Sequence, residues 1–333
     1  TATLTQAAEM RLMHTIHPDA EKVLRDIHAD IWNLCNNHIM DAGQDGLALT
    51  LQEAKKFGAK TIGVGMNMKE AARPLILDEA GGIGLFAVGY QRGCKPAGKD
   101  KGGCLSWSEM EVIRNTIQEI KTKCRWCVVV AHGGEEFTAI PSPYTRDRYH
   151  AYLEMGADLV VCHHPHVPMN YETVGDKMIF YSLGNFIFDT DYQRAQFNTE
   201  KGILLKLHFT EDSYSFEAFG LKINRENEHI ESAPLPKIFA DIQEDDYNKL
   251  EPLAAKMFLA ATKRQQLFLY PDKFKNATEA QWKDHFYEEK RSGRVPGEAL
   301  DFQIIYPIAQ EEAKGAWKTC KLEDVKAYIL EQM

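Results

Sequence analysis

Three histidines fall within four positions in "CHHPHV", residues 162–167, directly after an apolar run. Imidazole at the end of a buried strand can ligate a metal, pass a proton, or sit as a satisfied polar group. Three other clusters share that placement. "NLCNNHIMDAG" carries Asn36, Asn37 and His38, "VVVAHGGEEF" carries His132, a glycine pair, Glu135 and Glu136, and "YSLGNFIFD" carries Gly184, Asn185 and Asp189. Of twelve histidines in the chain, His38, His132, His163, His164 and His166 stand in these loops, more than anion binding alone would ask for. Three buried imidazoles without a common purpose would need three separate hydrogen-bonding explanations, so His132, His164 and His166 read as ligands. His163 taken alone reads equally as a satisfied polar group.

Residue type sets the chemistry. Imidazole nitrogen with amide or carboxylate oxygen suits zinc, iron or manganese; an all-oxygen set would suit magnesium or calcium, and a thiolate set structural zinc. The expected cofactor is therefore a divalent transition metal, as one or two ions. Pro165 stiffens the turn between His164 and His166, so one loop can present both rings to one ion or to two neighbouring ones. The glycine pair after His132 lets backbone approach a ligand with no Cβ in the way. Asn36 and Asp41 also have turn-building readings, the aspartate as an Asx turn or helix entry before "GQDGLALTL". Glu135 and Glu136 read as solvated loop charges, or one of them as the group that orients His132 or its water.

Six short apolar runs must position these clusters: "ADIWNLC" (29–35), "KTIGVG" (60–65), "IGLFAVGY" (83–90), "WCVVVAH" (126–132), "ADLVVCH" (157–163) and "MIFYSLG" (178–184). They alternate with helical patterns. Leu47, Leu51 and Ala54 share one helix face, and Met110, Ile113, Ile117 and Ile120 another. This alternation predicts an α/β layered fold with a mixed or mostly parallel sheet. In an open α/β sheet ligands bind beyond the carboxyl ends of the strands, so the four clusters are expected to converge on one crevice. "GILLKLHFTEDSYSFEAFGLKI" then predicts an antiparallel hairpin, and from about Pro234 the composition turns helical. The expected organisation is a site-bearing domain over 1–235 and a helical C-terminal region over 236–333.

Composition bounds the partners. With 44% hydrophobic and 26% charged residues in 333, the chain has the balance of a globular protein. A net charge of -9 offers no basic face for nucleic acid. A small anionic substrate or polymer end would need local positive charge, which bound metal could supply. No apolar run reaches the roughly 20 residues of a membrane span, and the first residues lack a signal-peptide plan. Seven cysteines without a framework spacing point to a reducing, cytoplasmic setting, although Cys94 and Cys104 flank a Gly/Lys loop and could pair. Cys124-x-x-Cys127 reads as the opening of a strand more readily than as a redox pair.

The motifs in this order resemble the CapA family of bacterial capsule and poly-γ-glutamate synthesis proteins, which share the calcineurin-like metallophosphatase fold. "NNHIMDAG" looks like that family's Asn-Asn-His-x-x-Asp-x-Gly element and "HGGEEF" like its His-Trp-Gly-x-Glu-Tyr. "GADLVVCHHPHV" looks like Gly-Ala-Asp-x-x-x-Gly-x-His-Pro-His-Val, and "FYSLGNFIFD" like Tyr-Ser-Leu-Gly-Asn-Phe. The likeness runs over roughly 18–225. It implies a four-layer α/β/β/α sandwich with a two-metal crevice: Asn37, His132 and His164 on one ion, His166 on the other, His38 as the acid at a leaving oxygen, and Glu136 at the family's glutamate position. Asn36, Asn185 and His163 are left as substrate-binding candidates. Gly133, Phe137 and Cys162 replace the family's usual Trp, Tyr and Gly, so substrate choice is not inherited. The family opens with a strand ending in Gly-Asp and an Asn-Leu-Glu-like segment; nothing before Thr15 reads as that strand, so the chain is expected to start inside a longer protein. Many relatives imply a surface or membrane setting through an N-terminal anchor. The expected activity is a metal-dependent hydrolase of phosphoesterase type, with a non-catalytic accessory that binds an anionic polymer or ligand as the alternative.

Overall fold

Each of the six apolar runs contains strand in the computed structural model, which describes residues 19–90, 93–194, 196 and 198–251, with isolated positions at 14, 254, 278, 280 and 281. The fold is mixed α/β, and the described chain divides into two compact units. Most of the expected helical region, beyond residue 254, lies outside the described residues apart from those isolated positions.

The first unit comprises the chain to Gly133, Tyr152–Val161 and the hairpin tip Phe209–Tyr214. Its strands are β1 (Ile31–Asn33), β2 (Lys60–Ile62), β3 (Val64–Gly65), β4 (Leu75–Leu77), β5 (Ile83–Gly89), β6 (Gly103–Cys104), β7 (Trp126–His132) and the opening of β8 (Leu159–His163). β1 runs parallel to β2 with Trp32 opposite Thr61. β5 runs parallel to β7 with Gly89 opposite His132, while β4 is antiparallel to β5. The parallel pair is buried along nearly its whole length, which is why both strands read as continuous apolar runs instead of alternating ones. β4 and β6 were not expected; at three and two residues they are too short to leave a periodic signal.

Two helices cover these strands as their apolar stripes predict. Gly43–Phe57 buries Leu47 and Ala54, and Met110–Lys123 buries Ile113, Ile117 and Ile120. Gly58, at φ 92°, ends the first of them in the left-handed conformation that glycine adopts without a Cβ penalty. Asp158 anchors β8 to its neighbours: its carboxylate accepts from the Cys127 amide at 2.7 Å and from Lys121 Nζ at 2.8 Å. Cys127 lies in β7 and Cys124 caps the preceding helix, and both are free thiols.

The second unit holds Gly134–Ala151, Cys162–His208 and the chain from Ser215. β9 (Tyr171–Val174) and β10 (Lys177–Phe180) form a hairpin. β11 (Lys201–Phe209), β12 (Tyr214–Asn224) and β13 (His229–Ala233) form a three-stranded sheet, the first two being the expected hairpin. Tyr171, Phe180, Phe216 and Phe239 pack as an aromatic group with centroids 5.0–6.4 Å apart. Residues 244–251 are helical, and Ile242, Tyr247, Leu250 and Ala254 share a core with Ile140. Beneath them Glu172 accepts from Arg146 Nε at 3.0 Å and from Tyr181 Oη at 2.6 Å, with His150 Nε2 at 3.1 Å. Burial alone would raise the Glu172 carboxyl, but the bonds from His150, Arg146 and Tyr181 outweigh it and hold it down at about 2.

Candidate metal centre

In the first unit the loop after β1 turns twice on asparagine side chains. Asn33 Oδ1 accepts from the Cys35 amide at 3.0 Å, and Asn36 Oδ1 accepts from the His38 amide at 2.8 Å. These Asx turns free the loop from sheet pairing and bring Asn37 and His38 out at the strand end. Asn36, a candidate for substrate contact, thus spends its side-chain oxygen on the turn. β7 delivers His132 to the same place: His132 Nε2 lies 3.0 Å from Asn37 Oδ1. Asn37 Nδ2 lies 3.3 Å from His38 Nε2, and His38 Nδ1 lies 2.8 Å from Asp41 Oδ2.

One tautomer assignment satisfies the whole row. His132 Nε2–H donates to Asn37 Oδ1, Asn37 Nδ2–H to His38 Nε2, and His38 Nδ1–H to the Asp41 carboxylate. Asp41 therefore does more than build a turn: it fixes which nitrogen of His38 accepts from Asn37. Its spacing, three residues after His38 and just before a helix, was the signal available in the sequence. Asp41 also accepts from the His14 amide at 3.0 Å.

Gly133 stands beside an indole. A Cβ built there would lie 2.5 Å from the Trp107 ring, so the space beside His132 is filled from another part of the chain.

In the second unit, "GEEF" and "HHPH" form facing loops tied by the Phe137 amide, which donates to Pro165 O at 2.8 Å. The two glutamates separate in role. Glu135 is buried and accepts from Ser142 Oγ at 2.8 Å and Thr145 Oγ1 at 3.1 Å; burial raises its carboxyl against these bonds. Glu136 reaches the histidines instead, with Oε1 3.9 Å from His164 Nε2. Glu136, His164 and His166 each offer one ligand atom, and the three atoms lie within 4.8 Å of one another. Both histidines have positive φ, 106° at His164 and 63° at His166, a conformation costly for a side chain of this size and one that clusters at functional sites.

Asn185 orients His166. Its Nδ2 donates to Gln193 Oε1 at 3.2 Å and to Thr199 O at 3.0 Å, which leaves its Oδ1 facing His166 Nδ1 at 2.9 Å. His166 must then carry its proton on Nδ1, so Nε2 presents a lone pair, the form that binds a metal. Phe137 and Phe188 stack against that ring with centroids 5.9 and 5.2 Å away. His163, at the end of β8, is only partly exposed, and loss of solvent lowers its imidazole to about 4.

The donor chemistry fits a divalent transition ion in both units. Carboxylate and imidazole form the second-unit group. In the first, Asn37 and His132 offer an amide oxygen and an imidazole nitrogen, here hydrogen-bonded to each other at 3.0 Å, a bond that an ion between them would replace.

Comparison with known proteins places these clusters in a common context. The chain is 32% identical over 182 residues to the PGA biosynthesis protein CapA of Bacillus subtilis (strain 168), covering 54% of this chain and 47% of that protein. It is 28% identical over 214 residues to the capsule biosynthesis protein CapA of Bacillus anthracis, covering 62% and 51%. It is 23% identical over 197 residues to a probable polyglutamine synthesis accessory protein of Mycobacterium tuberculosis, covering 53% and 50%. The chain thus spans about half the length of each of these relatives. The family described as "Bacterial capsule synthesis protein PGA_cap" matches residues 2–190, a stretch that contains all four polar clusters and exceeds half of the 333 residues, and the chain belongs to that family.

Proposed function

We propose that the chain acts in capsule or poly-γ-glutamate metabolism as a metal-dependent hydrolase of phosphoesterase type, built on a four-layer α/β/β/α sandwich. The observation that carries this reading is the convergence of Glu136, His164 and His166 ligand atoms within 4.8 Å, with the tautomer of His166 set by Asn185. Asn37 and His132 are assigned to an ion by family resemblance, and an ion between them would replace the hydrogen bond that joins them at 3.0 Å. A bound divalent ion of the manganese, iron or zinc kind supplies Lewis acidity to an anionic ester. The protein contributes orientation and a proton. Asp41 holds His38 by Nδ1 and leaves Nε2 beside Asn37 Nδ2; once protonated, Nε2–H gives up that contact and donates to a leaving oxygen. His163, neutral through burial, offers substrate a hydrogen bond without a charge.

A second reading has one observation in its favour, the accessory role in the name of the mycobacterial relative. There the same residues bind an anionic polymer end without turnover. Elemental analysis and turnover of an aryl phosphate ester by the wild type, His164→Ala and His38→Ala separate the two. The hydrolase reading expects metal loss in His164→Ala, and lost turnover with metal retained in His38→Ala. Metal-free wild type that still binds polyglutamate would overturn it.

A further inference from the structure

Three cysteines outside the expected site meet in the core of the first unit. Cys35 follows β1, Cys94 opens the loop after β5, and Cys104 ends β6, so three separate segments deliver them. All three are fully buried, and their Sγ atoms lie within 4.8 Å of one another. All three are free thiols. The packing leaves room for sulfur: a Cβ at Gly89 would lie 2.5 Å from Cys94 Sγ and 2.8 Å from Cys35 Sγ, and one at Gly63 would lie 2.5 Å from Cys35 Cβ.

We propose that Cys35, Cys94 and Cys104 form a three-sulfur site for one thiophilic d10 cation, zinc(II) or copper(I). Three thiolates placed about 2.3 Å from an ion in a trigonal plane stand about 4 Å apart, which small side-chain rotations reach from the observed spacing. Soft thiolate sets select these cations. Binding releases the thiol protons to solvent and needs no oxidant. The alternative is three small apolar side chains packed by chance. In that packing each thiol donates a long hydrogen bond to a backbone oxygen, 3.9 Å from Cys35 to Leu105 O, 3.9 Å from Cys94 to His132 O and 3.8 Å from Cys104 to Asn36 O. Two of those backbone oxygens belong to Asn36 and His132. A cation here would tie the loop after β1 to the loop after β5 and to β6 without entering the nitrogen and oxygen donor set described above.

The test uses the full chain, purified with reductant, stripped with chelator and reloaded with cobalt(II), zinc(II) or, without oxygen, copper(I). Cobalt bound by sulfur gives a sulfur-to-metal charge-transfer band that nitrogen and oxygen ligands cannot produce. The expected result is that band, displaced by zinc, abolished in Cys94→Ser and retained in His164→Ala. If Cys94→Ser fails to fold, alkylation of the wild type followed by peptide mass analysis decides: Cys35, Cys94 and Cys104 should be protected by zinc or by copper(I). Protection by either cation supports the site. Absence of the band in natively folded wild type together with unchanged alkylation with both cations, or a disulfide within the trio under these conditions, overturns it. Failure of the hydrolase reading would leave all of these outcomes unchanged.

Discussion

His38 gains direction from Asp41. With Asp41 Oδ2 at 2.8 Å from Nδ1, the ring has one tautomer and one orientation. Asp41→Asn can offer Nδ1 an amide nitrogen as readily as an oxygen, so both lose definition. The expected result is a kcat about 10- to 100-fold lower with metal content unchanged, the usual cost of removing an orienting partner. A parallel fall in metal content would assign Asp41 a structural role instead. Asn185 works the same way on His166, which the proposed function makes a ligand. Asn185→Ala should weaken metal affinity by about 10- to 100-fold, measured by competition with a chelator, whereas Asn185→Asp, which keeps an acceptor at 2.9 Å from Nδ1, should recover most of it.

At the level of elements, the end of β7 shows how a missing side chain is replaced. The family element that "HGGEEF" resembles has tryptophan where Gly133 stands, and here the Trp107 indole occupies the space. Gly133→Ala should destabilise by about 1–3 kcal/mol through overpacking, while Trp107→Ala with Gly133→Ala should cost less than the sum of the single changes; thermal melts of the four proteins measure this. Strict additivity would mean the contact carries no strain. The same spot marks what the sequence could and could not reveal. β5, β7 and β8 were legible because long buried parallel strands are continuously apolar, and the β11–β12 hairpin because two extended runs meet at "TEDS". β4 and β6 were not, being too short for any period. The polar clusters were legible by type and position after a strand. The split between Glu135 and Glu136 was not, since it depends on Ser142 and Thr145 folding back over one carboxylate seven to ten residues away. Nor was the cysteine trio, whose members are up to 69 residues apart and meet only through tertiary packing.

For the molecule as a whole, acid sensitivity follows from one buried carboxylate. Glu172 lies at the junction of Arg146, His150 and Tyr181, and the Arg146 guanidinium also covers the Tyr247 ring at 4.4 Å, so the network joins residues 146–150, the β9–β10 hairpin and the helical turn at 244–251 within the second unit. Its carboxyl is held at about 2 against an ordinary 4.5. A depressed acid binds fewer protons folded than unfolded, so its contribution is complete above about 4.5 and is lost as pH falls toward 2. A shift of this size corresponds to roughly 3 kcal/mol. Melting temperature should therefore fall through this window in the wild type. Glu172→Gln should begin lower at neutral pH, since leaving Arg146 buried without its partner costs about 3–5 kcal/mol, and should then change less between pH 4.5 and 2 than the wild type does. Equal slopes in the two proteins would mean that Glu172 is not the group whose protonation unfolds the second unit.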